Sequence, residues 1–169
     1  MQKTSGFTLM ELMVTIAIIA VVSAIAVPNF LAWVPKFKLG GASRDVLAVL
    51  QGTRVKAVKD NTNYTVQFNL GNESYVAFLD DGAGTPDTTP ADGIPDGLGD
   101  GILDATETIV SQKTLPDGIN IVNTTLAGNQ VIFDTQGVAS TAGTITIAND
   151  RGASRLIVLE LAGSSRIQN

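Results

Sequence analysis

A run of uncharged residues separates Glu11 from Lys36, and it constrains this chain more than any other feature. A helix of roughly 24 such residues is long enough to cross the hydrocarbon core of a bilayer. A short polar stretch, Met1–Gly6, precedes it. Glu11 stands at the threshold of the apolar run, where a carboxylate costs about 2.5 kcal/mol or more on insertion scales, so it reads as functional by default. What remains, about 130 residues, suits one globular domain.

Residues 7–35 read as one helix, with Pro28 inside it and Pro35 ending or bending it. Gly40-Gly41 is a second weak point, after which Ser43 can cap a new helical segment. There Val46, Leu47, Val49, Leu50, Val55 and Val58 recur at helical spacing, and the face they form should pack on a sheet. From Asn61 the period becomes two. Tyr64–Phe68 and Tyr75–Leu79, joined across Gly71-Asn72, read as a hairpin. Further strands are predicted at Glu107–Gln112, Ile119–Val122, Gln130–Phe133, Thr144–Ala148, Arg155–Leu161 and Ser164–Ile167, with turn signals such as Pro116-Asp117-Gly118 and Asn149–Gly152 between them. The predicted fold class is α+β: a long N-terminal hydrophobic helix, kinked near Pro28, whose C-terminal half packs on an antiparallel β-sheet.

The chain has no cysteine and no histidine. Histidine triads, imidazole bases and Cys/His zinc sites are therefore excluded. Serines and threonines have no base partner, and no P-loop pattern occurs, so catalysis is not expected. Net charge is −5, but its distribution says more. Asp80, Asp81, Asp87, Asp92, Asp96, Asp100, Asp104 and Glu107 share one stretch free of Lys and Arg, while Lys36, Lys38, Arg44, Arg54, Lys56 and Lys59 form a basic neck. The basic neck should face neighbouring subunits or lipid headgroups. The C-terminal half offers only Arg151, Arg155 and Arg166 against its acids, too sparse a patch to favour nucleic acid.

Gly6, then Phe7, then Glu11, then the apolar run closing in Ala26-Val-Pro28-Asn-Phe30 resembles the leader and N-terminal helix of the type IV pilin superfamily. That resemblance implies cleavage by prepilin peptidase between Gly6 and Phe7 and N-methylation of Phe7. It also implies a role for Glu11 in filament assembly, since a buried carboxylate needs a cation and a neighbouring subunit's Phe7 amino group supplies one. The family carries a proline at the place of Pro28, where its helix bends or locally melts in the filament. An ordinary signal anchor, or a secretory signal cut after Ala24-Ile25-Ala26, remains an alternative for the N-terminal segment.

Further on, Val131-Ile-Phe-Asp134-Thr-Gln-Gly137, Gly143-Thr-Ile-Thr-Ile-Ala-Asn149-Asp-Arg-Gly152, Arg155-Leu-Ile-Val and Gly163-Ser-Ser-Arg166-Ile167 are similar to the C-terminal pattern of GspH/FimT-type minor pseudopilins. Leu50–Asn61 is similar to the same family's stretch before its first strand. The resemblance implies a leader at 1–6, a membrane and filament-core helix at 7–35 and a globular domain at 36–169. It implies a single-pass protein of the bacterial inner membrane with its C-terminal domain outside the cytoplasm. The subunit would enter a type II secretion pseudopilus or a type IV pilus-like filament that supports protein export. Its expected partners are other pilin or pseudopilin subunits, prepilin peptidase, the inner-membrane assembly platform and membrane lipid. The alternatives are a membrane-anchored calcium-binding or adhesive domain and a DNA-uptake minor pilin.

The segment 80–107 departs from the family. Asp92, Asp96, Asp100 and Asp104 recur every fourth residue, three of them followed by glycine. Clustered carboxylates on tight glycine turns suit a hard cation such as Ca²⁺, although the spacing does not match an EF-hand loop. A solvated surface insertion is the competing expectation. No cofactor is otherwise required.

Overall fold

The computed structural model describes residues 6–80, 101–103 and 107–168. Its first element, α1, is a single helix over Leu9–Asp60, about 78 Å long at 1.5 Å per residue. The helix passes through Pro28 and Pro35 and through Gly40-Gly41. The expected break and the expected cap at Ser43 are therefore corrected. Ser43 lies mid-helix and buried, and its hydroxyl donates to the Leu39 carbonyl at 2.7 Å. Two glycines disfavour helix by about 1 kcal/mol each. Burial outweighs this, because Leu39, Gly40, Ala42 and Ser43 lie against the domain.

The buried face of α1 is Leu39, Ser43, Val46, Leu50, Thr53 and Ala57, spaced three and four residues apart along one stripe. Val55 and Val58, expected on that face, are 64% and 51% exposed. The small residues Thr53 and Ala57 take their place, which lets the helix approach the sheets closely. α1 ends at Asn61, whose left-handed backbone (φ 51°, ψ 45°) directs its N–H to the Ala57 carbonyl. Tyr64 then ties the first strand back to the helix, donating its hydroxyl to Asp60 Oδ2 at 2.8 Å. Burial, followed by that bond to Asp60, pushes the phenol's pKa up to about 12.

The strands form two antiparallel sheets. The first has β1 (Tyr64–Asn69), β2 (Ser74–Leu79), β3 (Ile109–Thr114) and β5 (Gln130–Phe133) in the order β3-β2-β1-β5. The second has β4 (Ile119–Thr124), β6 (Gly143–Asn149), β7 (Ser154–Leu159) and β8 (Ser165–Gln168) in the order β4-β6-β7-β8. The β1–β2 hairpin pairs Tyr64 with Leu79 and Asn69 with Ser74. Asn69 Oδ1 closes its turn by accepting from the N–H groups of Gly71 and Asn72, each at 3.0 Å. Glu73 joins the sheets: its carbonyl accepts from Leu115 N–H at 2.8 Å and its carboxylate from Ile121 N–H at 2.5 Å. The C-terminal half of α1 packs on both sheets. Val46, Leu50, Val66, Phe78, Val131, Phe133, Ile145, Ile147, Ile157 and Leu159 make the shared core.

Asp80 marks the exit to the acidic stretch. It is buried, its carboxylate accepts from the Thr65 hydroxyl and from Gly101 N–H, and its own N–H donates to the Asn63 carbonyl. Asp80 thus links the exit of β2 to β1 and to Gly101.

Candidate functional site

The first helical turn is built by its own side chains. Thr8 is the N-cap, with extended backbone (φ −82°, ψ 151°). Its hydroxyl accepts from Glu11 N–H at 3.2 Å. Glu11 Oε2 in turn accepts from Thr8 N–H at 2.9 Å and from the Thr8 hydroxyl at 3.0 Å. This reciprocal pair is a capping box, which satisfies two of the donors a helix start leaves open. Thr8 went unrecognised in the sequence, although a threonine three residues ahead of a glutamate at the head of an apolar run is the signature of this motif.

Gly6 and Phe7 lie just outside the helix, both exposed, Phe7 at 89%. A Cβ added at Gly6 would meet nothing within 4 Å, and its φ is not in the left-handed region. The fold of this chain therefore places no demand for glycine at position 6. Phe7 and Glu11 flank the N-cap Thr8 at the start of α1, with Gly6 just before them. Pro28 lies 17 residues beyond Glu11, about 26 Å along the axis.

Above this turn α1 stands clear of the domain. No described residue before Leu39 is buried. Leu12, Ile16, Ile19, Ile25, Phe30 and Trp33 are among the large apolar side chains more than half exposed. Water is a poor solvent for such a surface, which suits lipid or the helices of other subunits. Two of the polar side chains within it are satisfied locally: Thr15 donates to the Leu12 carbonyl at 2.8 Å and Asn29 to the Ile25 carbonyl at 3.1 Å. Internal pairing of this kind is what an apolar medium requires. Pro28 and Pro35 lack the N–H that the carbonyls of Ala24 and Leu31 would accept, so two local weak points are built into an otherwise regular helix.

Asp92, Asp96, Asp100 and Asp104 lie outside the described residues. Among the described residues no group of three or more His, Cys, Asp or Glu is placed to hold a metal ion.

The domain's own motif residues meet at the side of α1. Asp134 Oδ1 accepts from Gln136 and Val138 N–H at 2.9 and 2.8 Å, and Gly137 N–H donates to the Asp134 carbonyl at 2.8 Å. Arg54 of α1 donates Nε–H to the Gly137 carbonyl at 2.9 Å. The turn after β5 is thereby fastened to the helix.

The comparisons agree with this geometry. The family model described as "Type II transport protein GspH" matches residues 42–163, and the prokaryotic N-terminal methylation motif matches residues 1–27. No curated protein matches significantly. Among solved structures, the minor pseudopilin EpsH from the type 2 secretion system of Vibrio cholerae is similar at a TM-score of 0.54 and 12% identity, covering 78% of this chain and 96% of that one. The type IV minor pilin FimU of Pseudomonas aeruginosa is similar at a TM-score of 0.57 and 15% identity, covering 79% and 90%. These likenesses carry the fold, while the match over 42–163 spans well over half of the chain and carries the family. This chain belongs to the GspH family of type II transport proteins, with a prokaryotic N-terminal methylation motif at its start.

Proposed function

We propose that this chain is a minor pseudopilin, processed between Gly6 and Phe7 by prepilin peptidase and assembled through α1 into a filament that supports protein export. The observation that carries the reading is the unpartnered length of α1: the helix is well capped and regular, yet its apolar surface has no counterpart among the described residues. Such a surface is compatible with storage in a bilayer and then packing among like helices. The inner membrane holds the subunit before assembly, with the β domain on the extracytoplasmic side. Other pseudopilin subunits and the assembly platform are its partners there.

Gly6 supports processing because nothing in the fold needs a glycine at that position. An enzyme that grips the extended backbone there would need one. Glu11 supports assembly because its cap uses a single carboxylate oxygen, Oε2. The other oxygen can face the amino terminus created on a neighbour by cleavage. Mass spectrometry of the N-terminal peptide from the membrane-derived protein tests the reading. The expected species begins at a singly methylated Phe7. A mature protein that keeps residues 1–6, or begins after Ala26, would instead mark a membrane-anchored or secreted domain that never polymerises.

A further inference from the structure

At the foot of the domain, Trp33, Lys36, Phe37, Gly40 and Arg44 of α1 and Arg155 of β7 line an open pocket of about 510 Å³. The helix positions are three, one, three and four residues apart, which places them on one face of α1. Gly40 forms the floor. It is buried, and a Cβ there would lie 3.8 Å from Arg155 Nη1, so the guanidinium lies across the helix where no side chain intervenes. Lys36, Arg44 and Arg155 bring three positive charges to the pocket, and among the described residues no carboxylate lines it. Among the described residues the salt bridges join other groups, Lys113 with Asp45 and Arg166 with Glu160. Like charges gathered without a counter-ion repel, so the pocket is complementary to an anion.

Two further observations say which anion. Trp33 and Phe37 are 63% and 70% exposed, with ring centroids 6.1 Å apart, and give the pocket an apolar wall. The pocket's height is fixed by the helix. The uncharged stretch from Leu12 to Pro35 spans about 36 Å, slightly more than the ~30 Å hydrocarbon core of a bilayer. With Glu11 at one surface, Lys36 emerges at the other, and Trp33 lies where tryptophan anchors a span at the headgroups. An anion with an apolar tail is concentrated at this level.

We propose that this pocket binds the phosphate of an anionic phospholipid headgroup. Arg44 and Arg155 present guanidinium forks suited to phosphate oxygens, Lys36 adds a third charge, and Trp33 and Phe37 pack against the glycerol and upper acyl chain. The site holds the foot of the domain to the membrane surface. It rests on the reading of α1 as membrane-spanning.

Trp33 is the chain's single tryptophan, so its fluorescence reports on the pocket alone. The full-length protein is placed in phosphatidylcholine nanodiscs doped with phosphatidylglycerol or phosphatidylcholine brominated on the upper acyl chain. Half-maximal quenching by the brominated phosphatidylglycerol is expected at about a fivefold lower mole fraction, the preference that one near-surface cation gives. The preference should disappear in Arg44→Gln/Arg155→Gln and persist in Arg151→Gln, which removes an exposed cation from the β6–β7 turn. Equal quenching by the two lipids overturns the proposal and leaves the membrane span standing. A preference that survives in the double variant assigns it to general surface charge, and one abolished by millimolar inorganic phosphate assigns the pocket to free phosphate; both overturn it. No quenching by either lipid removes α1 from the bilayer and the proposal with it.

Discussion

Gly163 has φ +74°, and a Cβ built on it would lie 2.1 Å from the Gly137 carbonyl oxygen and 2.7 Å from Arg54 Nε. That carbonyl is the one Arg54 binds, so three residues distant in sequence close on one another at the edge of α1. Gly163→Ala must both occupy a left-handed conformation and part this contact. The expected cost is about 1–3 kcal/mol, read as a lowered melting temperature, while alanine at Gly41, where a Cβ meets nothing within 4 Å, should be neutral or stabilising. At the other end of the helix, the cap and the charge of Glu11 can be separated. Glu11→Gln keeps a residue able to complete the capping box and removes the charge. Thr8→Ala removes the cap, at about 0.5–2 kcal/mol, and keeps the charge. If Glu11 pairs with a neighbour's amino terminus, Glu11→Gln loses incorporation in co-purification with other pseudopilins, while Thr8→Ala retains most of it. The reverse order would make the cap the essential feature.

At the scale of elements, the strands were legible because alternation and turn residues agree. Pro116-Asp117-Gly118 does what its sequence suggests: Gly118 takes φ +80° and Ile119 N–H closes on the Pro116 carbonyl at 3.0 Å. Asn149 likewise closes the β6–β7 turn, accepting from Arg151 and Ala153 N–H. Partnering was less legible. Periodicity places a strand at Gln130–Phe133 but cannot say that it pairs with β1, while β4 pairs with β6; that choice depends on contacts far apart in sequence. The helix was misread where local propensity and tertiary packing compete. Gly40-Gly41 and Ser43 look like an end and a start, yet the domain covers Gly40 and Ser43. The expected apolar face was half right for a related reason: a valine attracts attention in a sequence, but Thr53 and Ala57 are what the close approach to the sheets admits. The distinction is measurable. Leu50, fully buried, should cost about 2–5 kcal/mol as Leu50→Ala. Val55→Ala should change stability by less than about 0.5 kcal/mol. Chemical denaturation of the two variants checks both figures, and similar losses would mean that Val55 faces the core.

The whole molecule is divided by solvent preference. One end is a β domain with a core shared by two sheets and the last turns of α1; the other is a helix whose apolar span is not buried by any of the described residues. Of the candidate site, Gly6, Phe7 and Glu11 were legible because they lie within six residues of one another in sequence. The pocket of Trp33, Lys36, Phe37, Arg44 and Arg155 was not, since Arg155 reaches the helix only through the fold. The central claim is that the exposed helix packs against the same helix of other subunits. The absence of native cysteine allows a direct test. A cysteine is placed at Ile18, 58% exposed on α1, and another in the apolar helix of a co-expressed pseudopilin, and membranes are oxidised under assembly conditions. The account predicts a disulfide-linked heterodimer that depends on the assembly platform and is lost in Glu11→Val. A helix that stays monomeric under these conditions, while the protein is present and folded in the membrane, would contradict it.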